Sequence, residues 1–253
     1  MANDICNRYG LDTISAGCAI AFAIECYENG IITKADTDGI ELTWGNHKAI
    51  VAMTEKMAKR EGFGDILADG VKVAAEKIGK GAEQYAVHIG GQELGMHDPK
   101  LSHMSPAAAR YQMDATPGRH TQGFGPSGFR GHVVNAAGLC FFGGSKYLAR
   151  FMSAVTGWDR SMDELLKAGE RIANMRHVFN LREGINPLEL KVHPRIIGKP
   201  PYKTGPLAGV TADIEAQNYW NLGALDWDRV TTKPSKKKLE ELGLEDVAKD
   251  LWP

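Results

Sequence analysis

Between Gly79 and Gly144 the chain carries thirteen glycines together with Pro99, Pro106, Pro117 and Pro126. So many residues that interrupt helices and strands rule out mostly regular structure over that span. A loop region of this length inside a compact domain is either functional or disordered. Leu94, Tyr111, Phe124, Phe129, Phe141 and Phe142 are interleaved with the glycines and argue against disorder. Five of the eight histidines also fall here: His88, His97, His103, His120 and His132. Ordered glycine-rich loops bearing histidines suit a ligand site.

Helical patterns flank this span, so the expected fold class is all-α. Asp12 can cap a helix from Thr13 to about Asn29, closed by Gly30. Asn46 can cap the next, with Ile50, Met53 and Met57 on one face, stopping near Gly62-Phe63-Gly64. A third is expected from about Asp65 to Ile78, with Leu67, Val71, Ala74 and Ile78 at helical spacing. The first 85 residues hold no convincing strand alternation. Beyond the loops, Ser161-Met162-Asp163-Glu164 is a capping box, S-x-x-E. It opens a long helix whose expected apolar face is Leu165, Ala168, Ile172, Met175 and Phe179, ending near Gly184. A short helix is expected around Ala212 to Trp220, and an amphipathic tail from Ser235 to Leu251. Lys236-Lys237-Lys238 reads as a solvated helix start.

At 253 residues the chain can build a large core in one domain or two. Charged residues make up 24%, and the net charge of −1 comes with no basic stripe, so nucleic acid is excluded as a partner. Met1-Ala2-Asn3-Asp4 lacks the basic start of a signal peptide. The most apolar stretch, Ile14 to Ile24, is too short to cross a bilayer and ends in Glu25. No membrane association is expected, and the expected location is cytoplasmic. Cys6, Cys18, Cys26 and Cys140 form no C-x-x-C pair, which argues against a self-contained zinc or iron–sulfur site. Cys18 and Cys26 lie in an apolar helix pattern and read as buried small hydrophobes.

Two short stretches 128 residues apart share the pattern N-x-x-G-L-[D/C]: Asn7 to Asp12 and Asn135 to Cys140. Each pairs an amide with a glycine that allows close backbone approach, then an acceptor or a thiol. Two such turns facing one another would clamp a flat polar ligand. Two helix-entry turns that are alike by chance would produce the same pattern.

Cys6 to Ser15 resembles a signature of the aldehyde ferredoxin oxidoreductase family, the tungsten-pterin enzymes. Glu41 to Asn46, Glu61 to Gly70, Asp114 to Thr121, Asn135 to Cys140 and Phe179 to Gly184 resemble further family stretches, in family order. The resemblance covers nearly the whole chain but only the family's two carboxy-terminal helical domains. It implies one helical domain over 1–86, incomplete at its start, and another over 87–253, with the glycine-rich loops between and around the cofactor site.

In that family the two repeats grip two pterins that chelate one tungsten. Carried over, Asn7, Leu11, Asp12 and Thr13 would line one pterin, and Asn135, Leu139 and Cys140 the other. Hydrogen-bonding groups at a glycine-opened turn suit the ring nitrogens and amino group of a pterin. Asn stands where the family's simplest pattern has Asp, in both halves. Cys140 matches one ligand of the family's [4Fe–4S] cluster, and thiolate suits iron. The other three ligands belong to a C-x-x-C-x-x-x-C run that this chain lacks. His120 matches the family's active-site histidine, and a histidine titrating near neutrality can move protons.

The resemblance thus implies an oxidoreductase that turns an aldehyde into a carboxylic acid and passes electrons to ferredoxin. Its cofactors would be a tungsten (or molybdenum) bis-pterin and a [4Fe–4S] cluster. It would need a missing amino-terminal domain or subunit, and a homodimer stays open. The short stretch between His120 and Cys140 leaves open another substrate, such as an aromatic thioester. His47 could join a subunit-interface metal or simply begin a capped helix. The competing class is a non-catalytic helical module that binds a partner without metal.

Overall fold

The computed structural model describes residues 1–101, 107–120, 123–140, 142, 143 and 145–252. The all-α expectation holds, and among the described residues one short hairpin is the exception. The chain packs as two compact units. Unit one is Met1–Asp98 with Lys191–Val210, and unit two is Pro99–Leu190 with Thr211–Pro253.

Unit one contains α1 (Ala2–Tyr9), α2 (Thr13–Glu28), α3 (His47–Lys59), α4 (Phe63–Leu67) and α5 (Val71–Ile78). Helix α2 is its centre. Ala16, Ala19, Ile20, Phe22, Ala23, Ile24 and Cys26 are all buried, more of the circumference than a one-faced helix covers. Asp12 caps it, accepting from the Ser15 amide at 2.7 Å, and Asn46 caps α3 through the Ala49 amide at 3.2 Å.

The single helix expected over 65–78 is instead two. Gly70, at φ 86°, breaks it. The freed Val71 amide then donates to Oε1 of the buried Glu93 at 2.7 Å. Glu93 therefore caps α5 from 22 residues away, a carboxylate at the positive end of the helix dipole. It is held by an antiparallel hairpin, β1 (His88–Ile89) with β2 (Gln92–Glu93). Residues 191–210 rejoin this unit through a bridge from Val192 to Ile89 and a bidentate pair of Arg195 with Glu25 at 2.7 and 2.9 Å.

Unit two contains α6 (Ala107–Met113), α7 (Phe129–Ala136), α8 (Leu148–Thr156), α9 (Met162–Arg182), α10 (Ile214–Leu225), α11 (Lys236–Glu241) and α12 (Glu245–Leu251). The long α9 is its spine and starts at the capping box of Ser161 and Glu164. Its buried side differs from the expected face. Leu165, Gly169, Asn174, His177 and Val178 are buried, whereas Met175 and Phe179 are 48% and 62% exposed. The reason is packing chemistry: α7 comes so close that only glycine fits at 169. Asn174 and His177 are drawn inward by Trp227, whose indole donates to Asn174 Oδ1 at 2.9 Å and stacks on His177 at 3.8 Å.

The tail expected as one amphipathic run divides at Gly243, which has φ 65°. Arg171 on α9 donates to the Leu242 and Gly243 carbonyls at 2.8 and 3.0 Å, satisfying acceptors that a continuous helix would have used. Among the described residues no helix is long and apolar enough to cross a membrane.

Candidate functional site

Both N-x-x-G-L stretches are helix exits, and the first is an entry as well, since its Asp12 caps α2. In the first, α1 ends at Gly10, with φ 73° and ψ 31°, and the Leu11 amide returns to the Cys6 carbonyl at 2.8 Å. In the second, α7 runs into Gly138 at φ 69°, and the Leu139 amide returns to the Val134 carbonyl at 3.1 Å. This is one terminator used twice: a left-handed glycine followed by an apolar residue whose amide reaches back five positions. Asn7 and Asn135 occupy the same place in the last helical turn, three residues before the glycine. A Cβ on either glycine would meet nothing within 4 Å, so glycine is required by φ and not by crowding from the protein.

Beyond the glycine the two arms diverge. In unit one Leu11 packs on the core, Asp12 caps α2, and Asn7 and Thr13 are exposed. In unit two Leu139 is 38% exposed, and the Asn135 side chain and Cys140 thiol are exposed. Each turn, taken by itself, carries an exposed asparagine amide that can both donate and accept, with open space over its glycine. Cys140 can offer a single thiolate to iron. Among the described residues no three His, Cys, Asp or Glu side chains are grouped to hold a metal.

His120 stands half-buried, and unit two grips the segment leading up to it, residues 114–120, from several sides. The Gly118 amide donates to Tyr111 O at 2.8 Å, and the Thr116 amide to Asp114 Oδ1 at 2.9 Å. From α9, Asn180 Nδ2 donates to Ala115 O at 2.9 Å. One turn earlier, Arg176 Nη2 donates to Thr116 Oγ1 at 2.7 Å and to Asp114 Oδ1 at 3.3 Å. Its Nη1 lies 3.3 Å from His132 Nδ1. A guanidinium can only donate, so His132 Nδ1 accepts and Nε2–H donates to Gly123 O at 2.7 Å. Burial holds the His132 imidazole below its usual range, in keeping with that neutral tautomer. Burial raises the Asp114 carboxyl, and Arg176 pulls against the rise.

His88 Nδ1 accepts from the Gly91 amide at 3.2 Å within the hairpin turn. His97 is exposed, His47 is the exposed first residue of α3, and His103 lies outside the described residues. Nothing in the sequence pattern singled out Arg176 or His177, since partners 44 to 62 residues away leave no local signal.

The family described as aldehyde ferredoxin oxidoreductase, domains 2 & 3, matches residues 1–244, and the chain belongs to it. A tungsten-containing aldehyde ferredoxin oxidoreductase of Pyrococcus horikoshii is 33% identical over 97% of this chain and 45% of its own length. The WOR-like subunit of an aliphatic sulfonate oxidoreductase from Pyrococcus furiosus is 29% identical over 97% of this chain and 42% of its own. The chain thus spans less than half the length of these relatives. Among solved structures, the active-site complex BamBC of benzoyl coenzyme A reductase, bound to 1,5-dienoyl-CoA, superposes with a TM-score of 0.68. It is 21% identical, covering 97% of this chain and 46% of that one, a likeness of fold.

Proposed function

We propose that this chain is the pterin-gripping helical portion of a tungsten oxidoreductase that oxidises an aldehyde to a carboxylic acid. The observation that carries the reading is the repeated terminator, which sets Asn7 and Asn135 in equivalent places beside open left-handed turns. Family membership over residues 1–244 supports it. Asn7, Leu11, Asp12 and Thr13 would line one pterin, and Asn135, Leu139 and Cys140 the other. A tungsten bis-pterin, when bound, supplies the two-electron chemistry. In that reaction an aldehyde and water become a carboxylic acid, with two electrons passing to ferredoxin and two protons leaving. His120 takes and releases a proton at its imidazole, the kind of group whose ordinary range brackets neutral pH. The portion represented by the rest of the relatives' length supplies the remaining cluster ligands and covers the metal.

The cluster assignment is tested in the assembled enzyme by Cys140→Ser. Its iron content and cluster electron paramagnetic resonance signal should fall sharply, while the circular dichroism of the fold stays unchanged, because the thiol is exposed and holds up no core. Parental iron content with an unaltered signal would refute the ligand.

A further inference from the structure

We propose that Arg176 is a positioning residue that fixes the 114–120 loop, and with it His120, to the helix carrying the second arm. The role of His120 in this inference rests on the function proposed above; the tethering itself does not. Arg176 has one guanidinium edge on the loop, through Thr116 Oγ1 at 2.7 Å and Asp114 Oδ1 at 3.3 Å. Its other amino group meets His132 Nδ1 at 3.3 Å on α7. Three residues past His132 comes Asn135, where the second arm begins. A single planar group on the α9 spine therefore ties together the loop bearing the candidate proton carrier and the helix bearing the candidate cofactor contacts.

The fork geometry is specific. A guanidinium presents donors in several fixed directions in one plane, and an ammonium does not. Asp114 is almost wholly enclosed, its side chain 1% exposed, so its carboxylate depends on Arg176 and on the Thr116 amide for compensation. Asn180, one turn along, holds Ala115 O and sets the same loop against the same helix face. Supporting contacts of this kind hold a reacting group in place without touching what it acts on.

The test uses hydrogen exchange read by mass spectrometry on the chain assembled with the rest of its protein. Backbone amides of 114–116 and 118 report loop tethering, and imidazole C2–H exchange of His120 against pH reports that ring's environment. Arg176→Met should speed loop exchange at least about ten-fold, the effect of losing one strong charge-assisted contact, and displace the His120 titration midpoint. Thr116→Val should move both readouts the same way by less. Arg176→Lys should restore the charge but only part of the loop protection. Asn174→Ala, which removes the Trp227 indole bond on the same helix, should lower the melting temperature and leave both readouts alone.

Unchanged loop exchange and an unmoved His120 midpoint in Arg176→Met would overturn the proposal. So would equal shifts in Asn174→Ala. Should Arg176→Met fail to fold, Thr116→Val decides by the same two readouts. Neither readout depends on bound metal, so absence of tungsten would sink the enzyme reading while leaving this result to stand or fall separately.

Discussion

Changing Gly169 to alanine is expected to destabilise unit two by about 3 kcal/mol, at the upper end of ordinary overpacking costs. Gly169 lies inside α9 where α7 crosses it. A Cβ there would collide with the Phe129 carbonyl oxygen, lie 2.7 Å from the Phe129 carbonyl carbon and press on Val133 Cγ2 at 3.1 Å. Backbone cannot step aside as a flexible side chain can. Alanine is the better helix former by about 1 kcal/mol, which offsets only part of that cost. Relief requires α7 to move outward, and α7 runs directly into Gly138, Leu139 and Cys140. The substitution should therefore lower the urea midpoint and disturb the second arm together. A variant within about half a kcal/mol of the parent would mean that the two helices do not cross this closely.

Acid should unfold this chain through buried histidine. His177 is enclosed between Trp227, stacked at 3.8 Å, and Thr232 O, bonded to Nε2 at 2.9 Å. Burial lowers its pKa from 6.5 to about 4, with the bond to Thr232 O opposing the shift. The unfolded chain therefore takes up the proton first as pH falls. The stability that comes from keeping His177 neutral is complete above about pH 6.5 and is lost progressively down to about pH 4. At about 1.36 kcal/mol per unit, the loss over that window is on the order of 3 kcal/mol. His132, also lowered by burial, acts in the same direction. Urea unfolding at pH 7 and pH 4.5 measures the effect. His177→Gln, which can still donate toward Thr232 O, should be weaker at pH 7 and show a flatter pH dependence. Equal pH dependence in parent and variant would mean that His177 does not drive the acid transition.

Local signals carried the sequence reading where they were self-contained. Asp12, Asn46 and the Ser161–Glu164 box each cap the helix expected of them, since a cap bonds within three residues. Helix α1 went unseen because it spans only eight residues and buries one side chain, Cys6, too little length for a pattern to repeat. Its end lies within the first N-x-x-G-L stretch, at Gly10. The break at Gly70 is completed by Glu93, and the inward turn of Asn174 and His177 by Trp227, partners 22 to 53 residues distant. Amphipathic spacing on α9 pointed to Met175 and Phe179, because hydrophobicity counts apolar residues and not the polar ones a tryptophan can satisfy inside. The candidate site divides the same way. The two N-x-x-G-L exits are legible because a terminator needs glycine and an apolar neighbour in order. Arg176 is not, because three groups from separate segments meet it only in the fold.

If these arms hold a tungsten pterin, the most direct measurement is elemental analysis, with pterin release, of the chain coexpressed with the polypeptide that completes the length of its relatives. The expected result is tungsten or molybdenum near one per assembly, together with iron and released pterin, and loss of the pterin when Asn7 and Asn135 are both changed to alanine. A well-folded assembly with no tungsten, molybdenum, iron or pterin would contradict the proposed grip.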